Sequence, residues 1–321
     1  MRRFALVFTP LLLAGLVLTG CGGSAGHSSS SSSANPKVTV TGTFGVEPKV
    51  TIPSQKAGSK LQVEKVIPGS GAVVPSTDAL LGNYIAYIWS GTTHKLAQST
   101  FDTVPALFGS HLLPGLTAAL KGARVGERVL AVLPPKYGYG TQGNTSGGVA
   151  PNDTLVFVID VIKAFAAKAA VTGTTVSSGG HGLPTVTSAN PPQITIPKNG
   201  QAPSSLVSKT LIEGSGPAVT SGQQLIVQYV GMNWRTGKIF DSSEADGDPY
   251  GFVLGLPASQ GGVIPGWTAG LVGKKVGSRV LLVIPPKEGY GAQGNSQAGI
   301  KGTDTLVFVI DILGAYSAHS K

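Results

Sequence analysis

The sequence predicts an α+β protein built from two tandem copies of one domain, each a curled antiparallel β-sheet wrapped around one short α-helix. Three observations predict it. First, Pro134-Pro135-Lys136-Tyr137-Gly138-Tyr139-Gly140-Thr141-Gln142-Gly143-Asn144 returns 151 positions later, from Pro285 to Asn295, as Pro-Pro-Lys-Glu-Gly-Tyr-Gly-Ala-Gln-Gly-Asn. The run Asp-Thr-Leu-Val-Phe-Val-Ile-Asp at Asp153 to Asp160 recurs at Asp304 to Asp311 with the same offset, and a long match at fixed spacing is the mark of a duplicated domain. Second, charged residues are only 12% of the 321, while glycines number 46 and prolines 22, a balance of turn-rich β structure rather than long surface helices. Third, β-prone apolar runs follow one another with few helical patterns between them, which argues against a parallel α/β sheet.

Taken in order, the chain opens with Arg2-Arg3 and an apolar run from Phe4 to Leu18. The run is short for a membrane span and fits the apolar region of a signal peptide. It ends in Leu18-Thr19-Gly20-Cys21, which resembles a bacterial lipobox, so residues 1–21 are expected to be a lipoprotein signal and Cys21 the lipidated residue. Cys21 is also the one cysteine of the chain, which leaves no internal disulfide to support the domains. Residues 22–36, with serines from Ser28 to Ser33, read as a tether. The first domain is expected over 37–166, a Thr/Ser/Gly-rich linker over 167–190 and the second domain over 191–317. An earlier echo, Pro48 to Pro53 against Pro192 to Pro197, has an offset of 144.

Within the second copy, Gln224 to Met232 predicts a strand, Arg235 to Lys238 a turn, and Tyr250 to Leu254 a short strand. Pro265 to Val272 predicts a short helix, with proline in its first turn and Gly273 at its C-terminal end. Arg279 to Ile284 and Thr305 to Leu313 predict two further apolar strands.

Five motifs then occur in register: Val227-Gln-Tyr229-Val-Gly-Met, Gly237-Lys-Ile-Phe240-Asp241-Ser-Ser, Val263-Ile264-Pro-Gly-Trp267, Gly289-Tyr290-Gly291 and Thr305-Leu-Val-Phe308. This series resembles the FKBP-type peptidyl-prolyl isomerases, over about 224–313 of the second copy and more weakly over 83–162 of the first. The resemblance implies an apolar pocket with Trp267 as its floor under a proline ring. Tyr229, Phe240, Val263, Ile264 and Phe308 would be its walls, with Tyr250 a further aromatic wall and Ile300 on the flanking loop. Asp241 would face the substrate or hold Tyr229, and Tyr290 would donate its hydroxyl to a substrate carbonyl. Tyr229, Phe240, Asp241, Trp267 and Tyr290 are thus the expected catalytic set.

The first copy departs at these points. Tyr87, Tyr139 and Phe157 are matched to Tyr229, Tyr290 and Phe308. Leu112-Leu113-Pro114-Gly115-Leu116 stands where the second copy has Val-Ile-Pro-Gly-Trp, so Leu113 and Leu116 take the places of Ile264 and Trp267. Ala97-Gln98 occupy the place of Phe240-Asp241, with the nearby Phe101-Asp102 as a substitute if a shift in register is allowed. The first domain is therefore expected to keep the fold with a degenerate site.

Other chemistries lack support. Gly138 to Gly143 and Gly289 to Gly294 match Gly-x-Gly-x-x-Gly, but Pro-Pro precedes each, whereas a dinucleotide site needs a strand before it and a helix after it. The histidines His27, His94, His111, His181 and His319 show no ligand spacing, so no metal and no cofactor is expected. No serine sits in a nucleophile elbow. Asp160 and Asp311 close apolar strands and read as structural. The net charge of +9 is scattered, unlike a nucleic-acid arm, and suits weak attraction to anionic lipids or wall polymers. The expected role is acceleration of X-Pro rotation in exported proteins at the extracytoplasmic face of the cell membrane. The alternatives are a non-enzymatic chaperone or proline-segment binding module, and a wall-associated spacer.

Overall fold

The computed structural model describes residues 36–318, apart from 179 and 199. The leader, Cys21, the tether up to residue 35, His27 and His319 lie outside the described residues. Among those described, no helix is long and apolar enough to cross a membrane.

The first repeat contains β1 (Thr39–Thr41), β2 (Lys49–Thr51), β3 (Gln62–Ile67), β4 (Ala79–Ser90), β5 (Thr93–Ser99), β6 (Ala106–Phe108), α1 (Pro114–Leu120), β7 (Arg128–Leu133) and β8 (Thr154–Phe165). A short strand, β9 (Thr174–Thr175), follows. The second repeat contains β10 (Thr185–Val186), β11 (Ile194–Thr195), β12 (Val207–Glu213), β13 (Gln224–Asn233), β14 (Ile239–Ser242), β15 (Tyr250–Val253), α2 (Pro265–Leu271), β16 (Arg279–Ile284) and β17 (Leu306–Tyr316). The first sheet is ordered β3-β7-β8-β4-β5, with β6 beside β4. The second is ordered β14-β13-β17-β16-β12-β9, with β15 beside β13. The strand pairs in both sheets are antiparallel.

The central strands β4 and β8 are buried almost throughout, because both faces of the sheet are covered. This is why their sequences read as near-continuous apolar runs rather than alternating ones. One face packs on α1 through Leu116, with Tyr84 and Phe157 in the same cluster. The other face carries Ile85, Trp89 and Val156 and is covered by Val38 and Ile52 from the β1–β2 hairpin. The second sheet repeats the plan, with Trp267 of α2 on one face and Val186 and Ile194 of the β10–β11 hairpin on the other. Each helix begins with proline at its first turn, where the missing N–H has no intrahelical role.

Residues 167–190, expected as a linker, are instead partly built into the second repeat. β9 pairs with β12 at the sheet edge, and β10 pairs with β11 as β1 pairs with β2. The echo at Pro48 and Pro192 was the trace of this hairpin. The same two devices lock each hairpin down. Trp89 Nε1 donates to Gln55 O at 2.9 Å and Trp234 Nε1 to Gly200 O at 3.4 Å. Beneath each hairpin lies a buried two-bond arginine–aspartate pair: Arg128 with Asp160 and Arg279 with Asp311. The arginines also donate to hairpin carbonyls, Arg128 Nη2 to Val46 O and Arg279 Nη1 to Thr187 O and Ala189 O. Asp160 and Asp311 thus close the strands as ion-pair partners.

The two repeats pack together. Leu81, Phe165 and Ile226 are buried in one cluster with Leu107, Ile162, Leu313 and Tyr316 at its margin. Leu81 and Ile226 hold equivalent places on β4 and β13, and Phe165 and Tyr316 on β8 and β17, as the registers show. Each copy therefore offers the other nearly the same patch, a pseudo-two-fold contact of the isologous kind.

Candidate active site

The β-sheet of the second repeat sets Tyr229 opposite Ile310 and Gly231 opposite Phe308. Alternation along β13 then turns Tyr229 and Gly231 to the helix side. Trp267 enters from α2 and is buried to 3% exposure. Its ring stands edge-on to Phe308 at 5.1 Å, to Tyr229 at 5.3 Å and to Phe252 at 5.4 Å between centroids. Phe240 meets Phe308 at 5.5 Å, and Tyr250 meets Tyr229 at 5.8 Å. Such edge-to-face contacts place the positive ring edge on the negative face and fix ring directions as well as area. Gly231 makes this packing feasible: a Cβ there would lie 2.7 Å from Phe308 Cε1 and 2.9 Å from Phe240 Cζ.

Polar groups are few and directed. Tyr229 Oη donates to Asp241 Oδ2 at 2.8 Å. Burial pushes the Tyr290 phenol above its usual value; an Asn295 hydrogen bond opposes that, while the Asp241 charge and Tyr250 add to it. Tyr290 therefore remains a protonated donor at neutral pH. Trp267 Nε1 is buried without a hydrogen-bond partner. Behind the wall, Tyr229 N donates to Ser243 Oγ at 2.9 Å and Ser243 N to Tyr229 O at 3.1 Å. The Ser243 hydroxyl donates in turn to Gln228 Oε1.

Trp267, Tyr229, Phe240, Tyr250, Val263, Ile264, Tyr290, Ile300 and Phe308 all belong to one apolar cluster, and Asp241 is tied to it through Tyr229. Sequence reasoning missed Phe252, Gly231 and Ser243. The signal for Phe252 was its place two residues from Tyr250 on one strand, which puts both rings on one face. Among the described residues, no group of three His, Cys, Asp or Glu side chains is gathered as a metal would need.

In the first repeat, Leu113, Leu116, Tyr139 and Phe157 share the corresponding cluster, but the match of Tyr87 to Tyr229 needs correction. Tyr84 sits opposite Ile159 as Tyr229 sits opposite Ile310, and its N–H is held by Thr100 Oγ1 as Tyr229 N is held by Ser243. Tyr87 lies three residues on, facing the hairpin side beside His94. Two tyrosines on one strand three apart point to opposite faces, and it is Tyr84 that points to the helix side. Gln98 pairs with Ala86 as Asp241 pairs with Gly231, so Ala97-Gln98 do hold the Phe240-Asp241 places. Phe101 is buried with the hairpin cluster and is no substitute. Ala106, opposite Gly82, stands where Tyr250 stands opposite Val227.

The family model for FKBP-type peptidyl-prolyl cis-trans isomerase matches residues 76–162 and 216–313, more than half of the chain, and the protein belongs to that family of isomerases. Its likeness to single relatives is of similar strength. It is 40% identical over 122 residues to the FK506-binding protein of Streptomyces anulatus, covering 38% of this chain and 94% of that protein. It is 41% identical over 124 residues to the probable FK506-binding protein of Corynebacterium glutamicum, covering 39% and 98%. The crystal structure of FkpA from Escherichia coli matches at 38% identity and TM-score 0.32, covering 36% of this chain and 49% of that one.

Proposed function

We propose that the second repeat carries the isomerase activity, with Trp267 as the floor of the proline site, and that the substrates are exported proteins bearing X-Pro bonds. The observation that carries this is the ring of aromatic edges around Trp267 with the Asp241 carboxylate beside it, from which the first repeat lacks three rings and the carboxylate: Leu116, Ala97, Ala106 and Gln98 stand for Trp267, Phe240, Tyr250 and Asp241. Rotation about an X-Pro bond is opposed by loss of amide resonance, a barrier of roughly 18–20 kcal/mol, and needs no nucleophile. In the twisted amide the nitrogen and carbonyl are less conjugated and less polar. A pocket walled by Tyr229, Phe240, Val263, Ile264, Ile300 and Phe308 excludes water and favours that form over the planar one. Tyr290 Oη donates to a substrate carbonyl, and Asp241 holds Tyr229 in place. In this reading each sheet curls around its helix, and the pocket opens at the helix N-terminal end.

The test is cis-to-trans exchange of a short X-Pro peptide by the whole chain and by Trp267→Leu, which copies the first repeat. Loss of most of the activity is expected; full activity in Trp267→Leu would move catalysis to the first repeat. A second reading, capture of proline segments without turnover, is favoured for the first repeat alone, because it keeps Tyr84, Tyr139 and Phe157 around Leu116. The lipobox reading of Cys21 places the chain on the outer face of the membrane, where tethering raises its local concentration near emerging chains. Release of a Cys21→Ala chain from the membrane fraction is the expected outcome; retention would refute the anchor.

A further inference from the structure

The strand carrying Tyr250 is held on one side by its own sheet and on the other by the first repeat. Among the described residues, β15 pairs with β13 alone. Gly251 has no side chain, and a Cβ there would lie 3.1 Å from Leu107 Cβ and 3.2 Å from Leu107 Cδ2. Leu107 belongs to β6, the equivalent edge strand of the first repeat. Two residues before Tyr250, the carboxylate of Asp248 is buried to 3% exposure. Its Oδ2 accepts from Ser110 N at 2.9 Å and from Ser110 Oγ at 2.8 Å, while its Oδ1 is buried without a hydrogen-bond partner. The packing of Gly109 against Asp248 is just as close, since a Cβ there would fall 2.8 Å from Oδ2. A buried carboxylate with its bonds directed wholly to the other repeat is a costly group to leave loose. It fixes the Asp248–Phe252 segment, and Tyr250 and Phe252 of that segment stack at 5.7 Å beside Trp267.

We propose that the first repeat acts as a positioning element for the second: Ser110 and Leu107 hold Asp248 and Gly251, and through them set the Tyr250 wall of the proline pocket. This rests on the reading that the second repeat is the active one. Asp248, Ser110 and Leu107 are positioning residues, since none touches the pocket.

The experiment uses the whole chain with Asp248→Asn, Leu107→Ala, Tyr250→Ala and Trp267→Leu, and reads X-Pro peptide exchange together with amide hydrogen exchange along β13 and β15. Asp248→Asn and Leu107→Ala are expected to speed hydrogen exchange in 250–253 while 226–232 keeps its protection. They raise KM about fivefold with little change in kcat, because the wall is displaced in bound and twisted states alike. In a Tyr250→Ala background the same changes add nothing further, as expected of residues that act through one side chain. Unaltered protection of 250–253, an unchanged KM in a folded variant, or full additivity with Tyr250→Ala overturns the proposal. Full activity in Trp267→Leu overturns the reading beneath it, and the proposal with it. An inactive Trp267→Leu with unaltered 250–253 overturns the proposal alone.

Discussion

The floors of the two pockets differ by one side chain, and the difference does not transfer freely. Leu116 is fully buried in a cluster whose neighbours include Ala97 and Ala106, so a tryptophan there lacks the surrounding rings that seat Trp267. Leu116→Trp is expected to cost about 1–3 kcal/mol by overpacking, read as a lower urea midpoint, and to confer no exchange activity without phenylalanine at 97 and tyrosine at 106. The reverse change, Trp267→Leu, leaves a cavity but less of one than truncation to alanine, whose cost is roughly 3–5 kcal/mol. It should therefore remain folded while losing activity. Tyr290 gives a pH prediction. Its phenol donates only while protonated, and burial raises its pKa above the usual value, which is about 10. As pH rises, donor function should persist to at least about pH 10. A fall in kcat/KM centred well below that, and absent in Tyr290→Phe, would contradict the assignment.

At the scale of elements, the loop before β17 is clamped in the second repeat and not in the first. Asp304 accepts from Arg235 through two bonds of 2.6 and 2.8 Å, from Asn233 Nδ2 at 2.7 Å and from Lys301 N at 2.9 Å. It ties the loop of Ile300 to the turn between β13 and β14. Among the described residues, the Asp153 carboxylate accepts only the equivalent backbone bond, from Ala150 N. The Arg235 hydrogen bonds hold the Asp304 carboxyl well below the usual carboxylate range, with smaller help from Lys301 N and Asn233. Because the folded-state pKa is depressed, the stability it contributes is present above the unfolded value, near 3.9, and fades as pH falls from there toward the folded one. The stability gap between the native chain and Asp304→Asn is thus expected to be wide at neutral pH and to shrink below about pH 4. A gap that stays constant would sink the clamp. The same elements show what was legible in advance. The strands, the helix and the ten second-repeat residues that the sequence groups, which the structure gathers in and beside one cluster, carried local signals: apolar runs, Pro-Gly pairs and ordered aromatics. Tyr84 and Tyr87 are not told apart in the sequence because a strand buried on both faces offers no polar alternation to fix which tyrosine points inward. The hairpins were hidden because β10 and β11 are two residues each, too short for periodicity. What holds them is an arginine–aspartate pair on neighbouring strands, whose partners lie far apart in sequence.

At the scale of the molecule, the contact between repeats decides whether the chain behaves as two domains or one. Equivalent residues face each other across it: Leu81 with Ile226 in one cluster, and Phe165 edge-on to Tyr316 at 6.4 Å. The sequence held no separate sign of this, since a patch that packs on its own duplicate looks like ordinary strand-end apolarity in each copy. Tyr316 is half-buried at this seam, and that burial pushes its phenol up to about 12. Two units joined by an apolar seam and a buried Asp248–Ser110 contact unfold together when the seam contributes more than the difference in their own stabilities. The whole chain should therefore melt in one calorimetric transition. Phe165→Ala removes a buried ring from the seam, at roughly 3–5 kcal/mol, while its neighbours in β8 keep their pairing. It is expected to split the melt into two transitions, the lower one belonging to the repeat with the weaker core. Tyr316→Ala should do the same from the other side, and the two changes together should add little, because each deletes the same ring contact. Two transitions in the unaltered chain would mean that the seam is too weak to couple the repeats. Positioning of Tyr250 through Ser110 and Leu107 would then also have to fail, because a first repeat that opens independently cannot hold the strand beside it.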